Sequence, residues 1–216
     1  MTRDAATPDL FAEPVERIAD GAVILRGFAL GDAPGIMAAI HAIEHVAPFR
    51  HMVTPGGGRM SAAMTNCGTR GWVADRKGYR YTAEDPLKGK LWPPMPALFL
   101  DLANRAAVAA DFPRFVPDGC LINRYEPGAR MGLHQDKNES DRSAPIVSVS
   151  LGLPAVFLWG GPTRQDKPAK YTLRHGDVVV WGGPTRFTYH GIAPLKEGEH
   201  PLTGRYRYNL TLRKAL

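Results

Sequence analysis

The stretch Arg205-Tyr206-Arg207-Tyr208-Asn209-Leu210-Thr211-Leu212-Arg213 alternates polar and apolar side chains without a break. A period of two marks a β-strand, because successive side chains leave opposite faces. Arg205, Arg207, Asn209, Thr211 and Arg213 share one face, and Tyr206, Tyr208, Leu210 and Leu212 the other. Two placements satisfy the pattern. The polar face can look into water while the apolar face packs on a core. Alternatively the arginines point into a barrel, where an unpaired guanidinium is costly and an anionic partner is needed. A small dicarboxylate supplies such a partner through bidentate pairs.

Upstream lie further short apolar runs at residues 120–125, 146–151, 155–159, 171–173, 178–181 and 187–190, most of them separated by Gly or Pro. With the C-terminal run they make seven short strands and no intervening helix. That predicts an antiparallel sandwich or jelly roll over residues 119–214. The N-terminal half reads differently. Asp32 as N-cap and Pro34 in the first turn open a helix over 33–46, with Ile36, Ile40, Ile43 and Val46 at helical spacing. Pro93-Pro94-Met95-Pro96 is a breaker, and Leu98, Leu102, Ala106 and Ala109 suit a second helix over 96–110. Residues 22–28 predict a strand and residues 1–20 a loosely held arm. A chain of 216 residues suits one domain with a full core. No run of 18 apolar residues and no charged-then-apolar leader is present, so neither a membrane span nor secretion is expected. Cys67 and Cys120 sit in no CxxC pattern and read as free thiols in a reducing, cytoplasmic compartment. A monomer is the default expectation.

His134-Gln135-Asp136 carries the chemistry. On an extended strand an imidazole and a carboxylate two residues apart face one point. They make two thirds of the facial triad that holds non-haem Fe(II) with positions left open. His190 is the candidate third ligand. His175-Gly176-Asp177 has the same spacing but reads as a turn feeding the buried strand 178–181. His41 and His45 belong to the first helix and read as ordinary helix histidines. Asn123 and Tyr125 share a strand face and offer hydrogen bonds to an acid.

Residues 47–94 are rich in Gly and turns, with possible strands at 60–64 and 78–82. Nearly all of the chain's net charge of +6 lies between residues 50 and 90, where eight arginines and lysines stand against three acids. Trp72, Tyr79, Tyr81 and Trp92 lie within the same region. Cations for phosphates and flat rings for bases make this segment a candidate binding lid; the plainer reading is a long decorated loop.

The residues match a family. His134-x-Asp136, His190 and Arg207-Tyr208-Asn209-Leu210-Thr211-Leu212-Arg213 resemble the AlkB-type iron(II)/2-oxoglutarate dioxygenases, whose signature strand is Arg-x-Asn-x-Thr-x-Arg. Residues 53–57, 121–125, 133–137 and 176–183 resemble the bacterial members, and the likeness runs in order from about residue 9 to the end. The resemblance implies a mainly β (α+β) double-stranded β-helix with N-terminal helices and a nucleotide-recognition lid. It implies that His134, Asp136 and His190 hold Fe(II). Arg207 then pairs with the distal carboxylate of 2-oxoglutarate and Arg213 with the carboxylate near the iron, while Asn123, Tyr125 and Asn209 orient it. Trp72 and His134 sandwich a flipped, methylated base and Tyr79 touches the nucleic-acid backbone. Met60, Ser61, Asn138, Glu139 and Arg164 line the substrate side. The chain departs from the pattern of the bacterial members it resembles at Asn138, where the resemblance implies an Asp near the base's exocyclic amino group.

The implied reaction is oxidative demethylation of N-alkylated bases of the 1-methyladenine or 3-methylcytosine type. It consumes O₂ and 2-oxoglutarate and releases succinate, CO₂ and formaldehyde. The implied partner is alkylated single-stranded DNA, with RNA as a further substrate, in direct-reversal DNA repair. Two other readings stand beside it: an iron dioxygenase acting on a small molecule or protein, and a non-catalytic nucleic-acid binder.

Overall fold

The computed structural model describes residues 15–216; of the arm expected over residues 1–20, the first fourteen lie outside this range. In chain order the strands are β1 (Val15–Ala19), β2 (Ala22–Leu25), β3 (Ala63–Gly68), β4 (Gly71–Asp75), β5 (Gly78–Thr82), β6 (Glu84–Asp85), β7 (Lys90–Leu91), β8 (Gly119–Tyr125), β9 (Met131–His134), β10 (Ile146–Gly152), β11 (Ala155–Trp159), β12 (Ala169–Leu173), β13 (Val178–Trp181), β14 (His190–Ile192) and β15 (Arg207–Arg213). Helices α1 (Ala33–Val46) and α2 (Ala97–Ala109) precede the strand-rich half.

A major sheet runs β1-β2-β13-β10-β15-β8-β3 and a minor sheet β12-β11-β14-β9, with every described pairing antiparallel. The jelly roll predicted for 119–214 is therefore present, but the major sheet is larger than the sequence suggested. Residues 15–19, assigned to a loose arm, pair with β2, and β3 forms the opposite edge. Residues 187–189 precede rather than form a strand; β14 begins at His190.

The alternation in β15 is decided by what covers each face. All seven residues are buried. Tyr208, Leu210 and Leu212 join Ile36, Ile40, Phe99 and Leu102 in the core beneath the helices. Arg207, Asn209, Thr211 and Arg213 face the cavity between the two sheets. The polar face thus points inward, not to water. Arg205 does not share it: the strand starts two residues later, and Arg205 is exposed beyond its end.

Helix α1 buries Ile36, Ile40 and Ile43 as its spacing predicts, whereas Val46, in the last turn, is 55% exposed. In α2 the buried stripe is Phe99, Leu102, Ala103, Ala106 and Ala107. That face is turned from the expected one: Leu98 is only half-buried and Ala109 is exposed. The bulk of Phe99 decides which face is buried, since one ring outweighs several alanines in apolar area.

The rival pair at His175 and Asp177 is structural. Asp177 is buried; it pairs with Arg26 at 2.7 Å and accepts from the backbone N–H groups of Gly27 and Arg174 at 2.9 Å each. His175 Nδ1 accepts from Gly152 N–H at 3.0 Å, and its ring lies 4.3 Å from that of His200. Burial, then the neighbouring His200, depresses its pKa below the ordinary value of 6.5. The unfolded chain therefore binds more protons in the acid range, so this contribution is complete above pH 6.5 and is lost as pH falls toward the folded value. Denaturant titrations between pH 7.5 and 5 should show stability falling with acidification, and His175→Gln should flatten part of that slope. An identical slope in the variant would refute the assignment.

Candidate metal centre and anion niche

His190 and His134 are direct cross-strand partners in the β14–β9 register. Opposed residues on antiparallel strands hold their side chains about 5 Å apart, and the two rings lie 4.5 Å centroid to centroid. Gly191 permits this approach: a Cβ there would stand 2.6 Å from Met131 O. Asp136 follows β9 in a segment of irregular backbone rather than within the strand. Its Oδ1 lies 3.6 Å from His134 Nε2 and its Oδ2 3.8 Å from His190 Nε2. One ligand atom from each of the three residues falls within 4.8 Å of the other two.

The two histidines are set in the tautomer that metal binding needs. His134 Nδ1 lies 2.9 Å from Gly132 O and His190 Nδ1 3.0 Å from Thr188 O. A carbonyl only accepts, so each Nδ1 carries the proton and each Nε2 lone pair is free. His190 is pushed down to about 4 by burial and by His134, so its ring is neutral at pH 7. Burial would raise the Asp136 carboxyl. Arg213, followed by the two histidines and Arg186, outweighs that and holds it below the usual carboxylate range. Two imidazoles with Nδ1 tied to a carbonyl, beside an ionised carboxylate, suit a divalent cation.

Beside this cluster the cavity is lined by donors. Arg207 is 1% exposed and sits 5.1 Å over the Tyr125 ring. One of its nitrogens donates to Ser150 Oγ at 3.0 Å, while Nε and Nη1 have no partner. A buried guanidinium with two idle donors is a costly arrangement unless an anion completes it. Asn123 donates to Asn209 Oδ1 at 3.3 Å and Asn209 to Ser148 Oγ at 2.8 Å, while Asn123 Oδ1 stays unpaired. Arg213 serves Asp136 at 2.8 Å. The niche thus holds one cation already committed to the metal-facing carboxylate and one held open.

The residues expected at the substrate side separate into two groups. Trp72 and Tyr79, on the β4–β5 hairpin, stack at 5.6 Å and 15°. Trp72 Nε1 donates to Asn138 Oδ1 at 3.3 Å. Arg164 is exposed and donates twice to Leu133 O, next to His134. Ser61 exchanges hydrogen bonds with the Arg130 backbone, and Met60 and Trp72 each pack against the same core cluster. Glu139 belongs elsewhere. It is 4% exposed, accepts from Tyr81 Oη at 2.6 Å and pairs with Arg186 at 3.0 Å, so its oxygens do not face an entering base. The reason is electrostatic: two buried arginines, Arg186 and Arg213, need an anion and Glu139 is adjacent to both.

Arg186 has no marker in the sequence, yet it holds the segment that carries Asp136. Its guanidinium donates to Asp136 O at 2.6 Å, to Ala144 O at 3.1 Å and to Glu139. Arg186→Met should therefore weaken Mn(II) binding about 10- to 100-fold, the usual effect of losing a group that orients a ligand. Calorimetric titration of the purified protein with Mn(II) measures this. The exposed Arg205→Met serves as the control, and thermal denaturation checks that both variants fold. Equal affinity in the folded Arg186 variant would show that the fork does not position Asp136.

Comparison with known proteins agrees with this geometry. Residues 21–213 match the family model described as the 2OG-Fe(II) oxygenase superfamily. The chain is 57% identical over 210 residues to the alpha-ketoglutarate-dependent dioxygenase AlkB of Escherichia coli K12, covering 96% of this chain and 97% of that protein. The Salmonella typhimurium protein of the same name is 55% identical over the same shares. Among solved structures, that of OsALKBH1 superposes with a TM-score of 0.83 at 30% identity, covering 93% of this chain and 100% of that one. The family works with Fe(II), 2-oxoglutarate and O₂, and the donor set fits: two imidazoles and a carboxylate for the metal, a buried arginine with two unpartnered nitrogens for a carboxylate. With a metal-binding triad, an open anion niche and this likeness along nearly its whole length, the chain belongs to the AlkB-type 2-oxoglutarate- and Fe(II)-dependent dioxygenases.

Proposed function

We propose that the protein removes N-methyl groups from alkylated bases in nucleic acid, with single-stranded DNA as its main substrate and RNA as a second. The observation that carries this reading is the placement of an aromatic, basic hairpin next to the metal-facing triad. His134 Nε2, Asp136 and His190 Nε2 would hold Fe(II); Arg207 and Arg213, with Asn123, Tyr125 and Asn209, would seat 2-oxoglutarate. Bound there, the metal with its co-substrate and O₂ supplies the oxidation of an N-methyl group, which leaves as formaldehyde while 2-oxoglutarate becomes succinate and CO₂.

The chain's own residues do the rest. Arg213 keeps Asp136 ionised and aimed. Arg207, closed off from water by the two sheets, offers its idle donors to the distal carboxylate, where a charge-assisted pair is strong. Trp72, half-buried on its hairpin, would offer one flat face to the base, and His134, its side chain 36% exposed, would offer the other. An aromatic face also attracts the cationic ring of 1-methyladenine or 3-methylcytosine.

The basic segment is partly neutralised within itself. Arg50 pairs with Asp85 at 2.8 Å, and Arg80 with Asp75 at 2.7 Å. Arg59, Arg76, Lys77, Lys88 and Lys90 are exposed and form the surface toward which phosphates would be drawn. No described helix is long and apolar enough to cross a membrane. Cys67 and Cys120 are buried free thiols, which supports a reducing compartment.

A methyl on a Watson–Crick nitrogen is hidden in a duplex, and extruding the base costs a few kcal/mol. Formaldehyde release from 1-methyladenine in a single-stranded oligonucleotide should therefore exceed that from the same lesion in a duplex. Unmethylated DNA should release none, and His134→Ala should abolish succinate release. Equal turnover on single and double strands would remove the strand preference. Succinate release unaffected by His134→Ala would overturn the ligand assignment.

A further inference from the structure

Two separate segments carry the three clustered ligands, and the ladder between them stops at the ligands themselves. β9 ends at His134 and β14 begins at His190, and these two residues form the last register pair. Past that pair, Asp136 lies in irregular backbone on one side. Thr188, whose carbonyl meets His190 Nδ1 at 3.0 Å, lies in irregular backbone on the other. Tyr189 does not bridge the gap, because its N–H and carbonyl bond to Gly161 and Gly160. Among the described residues, only two side chains hydrogen-bond residues 135–136 to residues 186–189, and they cross in opposite directions. Arg186 donates to Asp136 O at 2.6 Å. Gln135 donates through Nε2 to Phe187 O, also at 2.6 Å. A carbonyl only accepts, so the amide nitrogen of Gln135 is the atom that faces Phe187.

We infer that Gln135 is a positioning residue of the metal centre: it holds the segment leading into His190 at a set separation from His134 and Asp136. This rests on the ligand assignment proposed above. Gln135 takes no direct part. It stands between two ligands in the sequence, does not line the cavity they face, and spends its amide on Phe187. The route to His190 is short. Phe187 O is one peptide away from Thr188 O, and that carbonyl fixes the tautomer and orientation of the His190 ring. If Phe187 is released, Thr188 moves with it and the imidazole turns. The two crossing side chains thus divide the task. Arg186, buried and charged, holds the Asp136 end; Gln135, half-buried and neutral, holds the His190 end. A neutral bond partly open to water competes with hydration, so the Gln135 effect is the smaller of the two.

The test uses the full-length protein and Mn(II) alone, so that binding is read without turnover. Gln135→Met removes the donor and keeps the length of the side chain. Its Mn(II) affinity should fall about fivefold, the size that one neutral hydrogen bond supplies. Its thermal midpoint should stay within about 4 °C of the wild type, the shift one such bond gives in a chain of this size. The same substitution is then made in His190→Gln, with bound Mn(II) followed by electron paramagnetic resonance. There it should change affinity by less than about twofold, because the ligand it positions is gone. A loss that persists in that background would show that Gln135 acts on the fold at large and would overturn the inference. So would Mn(II) affinity unchanged in Gln135→Met; in either case the ligand assignment stands. If Gln135→Met does not fold, Gln135→Asn, whose amide falls one methylene short of Phe187 O, is read by the same criteria. Mn(II) affinity unaffected by His134→Ala would instead overturn the ligand assignment, and this inference with it.

Discussion

Arg213 donates to Asp136 at 2.8 Å where neither side chain meets water, each being 7% exposed. In such a place a lone charge is penalised by several kcal/mol, so each ion makes the other tolerable. The pair does not stand alone. Arg213 also approaches Glu139 and Tyr81; Glu139 is shared with Arg186, whose fork reaches back to the Asp136 carbonyl. A closed circuit of two arginines and two carboxylates therefore fixes the irregular segment after β9. That segment has no strand partner to hold it and still has to present a metal ligand with a definite aim.

The circuit also explains why the β4–β5 hairpin is not a free appendage. Tyr81 and Trp72 are register partners in the β4–β5 hairpin. Tyr81 donates to Glu139, and Trp72 to Asn138. Both bonds end on the segment that starts at Asp136, one in the buried circuit and one at the exposed mouth. Burial of Tyr81 raises its phenol pKa, so the group stays a protonated donor. The hairpin is thereby attached to the metal-bearing segment by short side-chain bonds, even though the two share no sheet.

Much of this was legible in the sequence, and the pattern of what was not has a physical cause. Alternation gave β15 and its two faces, and the His-x-Asp pair gave two of the three clustered ligands. Which face of β15 turned inward could not be read from the strand itself, because period two is blind to what lies above and below the sheet. The α2 stripe was misaligned because a run of alanines carries little directional signal beside Phe99. Residues 15–19 looked too polar for a strand, yet an edge strand is stabilised by backbone bonds to β2 and can leave its side chains outside. Glu139 was assigned by likeness to the substrate side. Its burial follows from Arg186, which stands in a Gly-Pro-Thr-Arg-Phe turn with nothing local to mark it as a buried cation.

The division of labour between interior and mouth follows from solvent. Inside, Asp136, Arg213, Glu139, Arg186 and Arg207 are desolvated, so changing any one strands a partner and costs stability along with chemistry. At the mouth, Trp72, Tyr79, Asn138 and Arg164 are half-buried or exposed, and their bonds are worth about 1 kcal/mol each in competition with water. A substitution there leaves the paired ions beneath undisturbed. An exposed side chain such as Asn138 can therefore be exchanged while the metal-facing triad and the anion niche stay as they are. Tyr81 links the two sets: it donates to buried Glu139, while its register partner Trp72 donates to exposed Asn138.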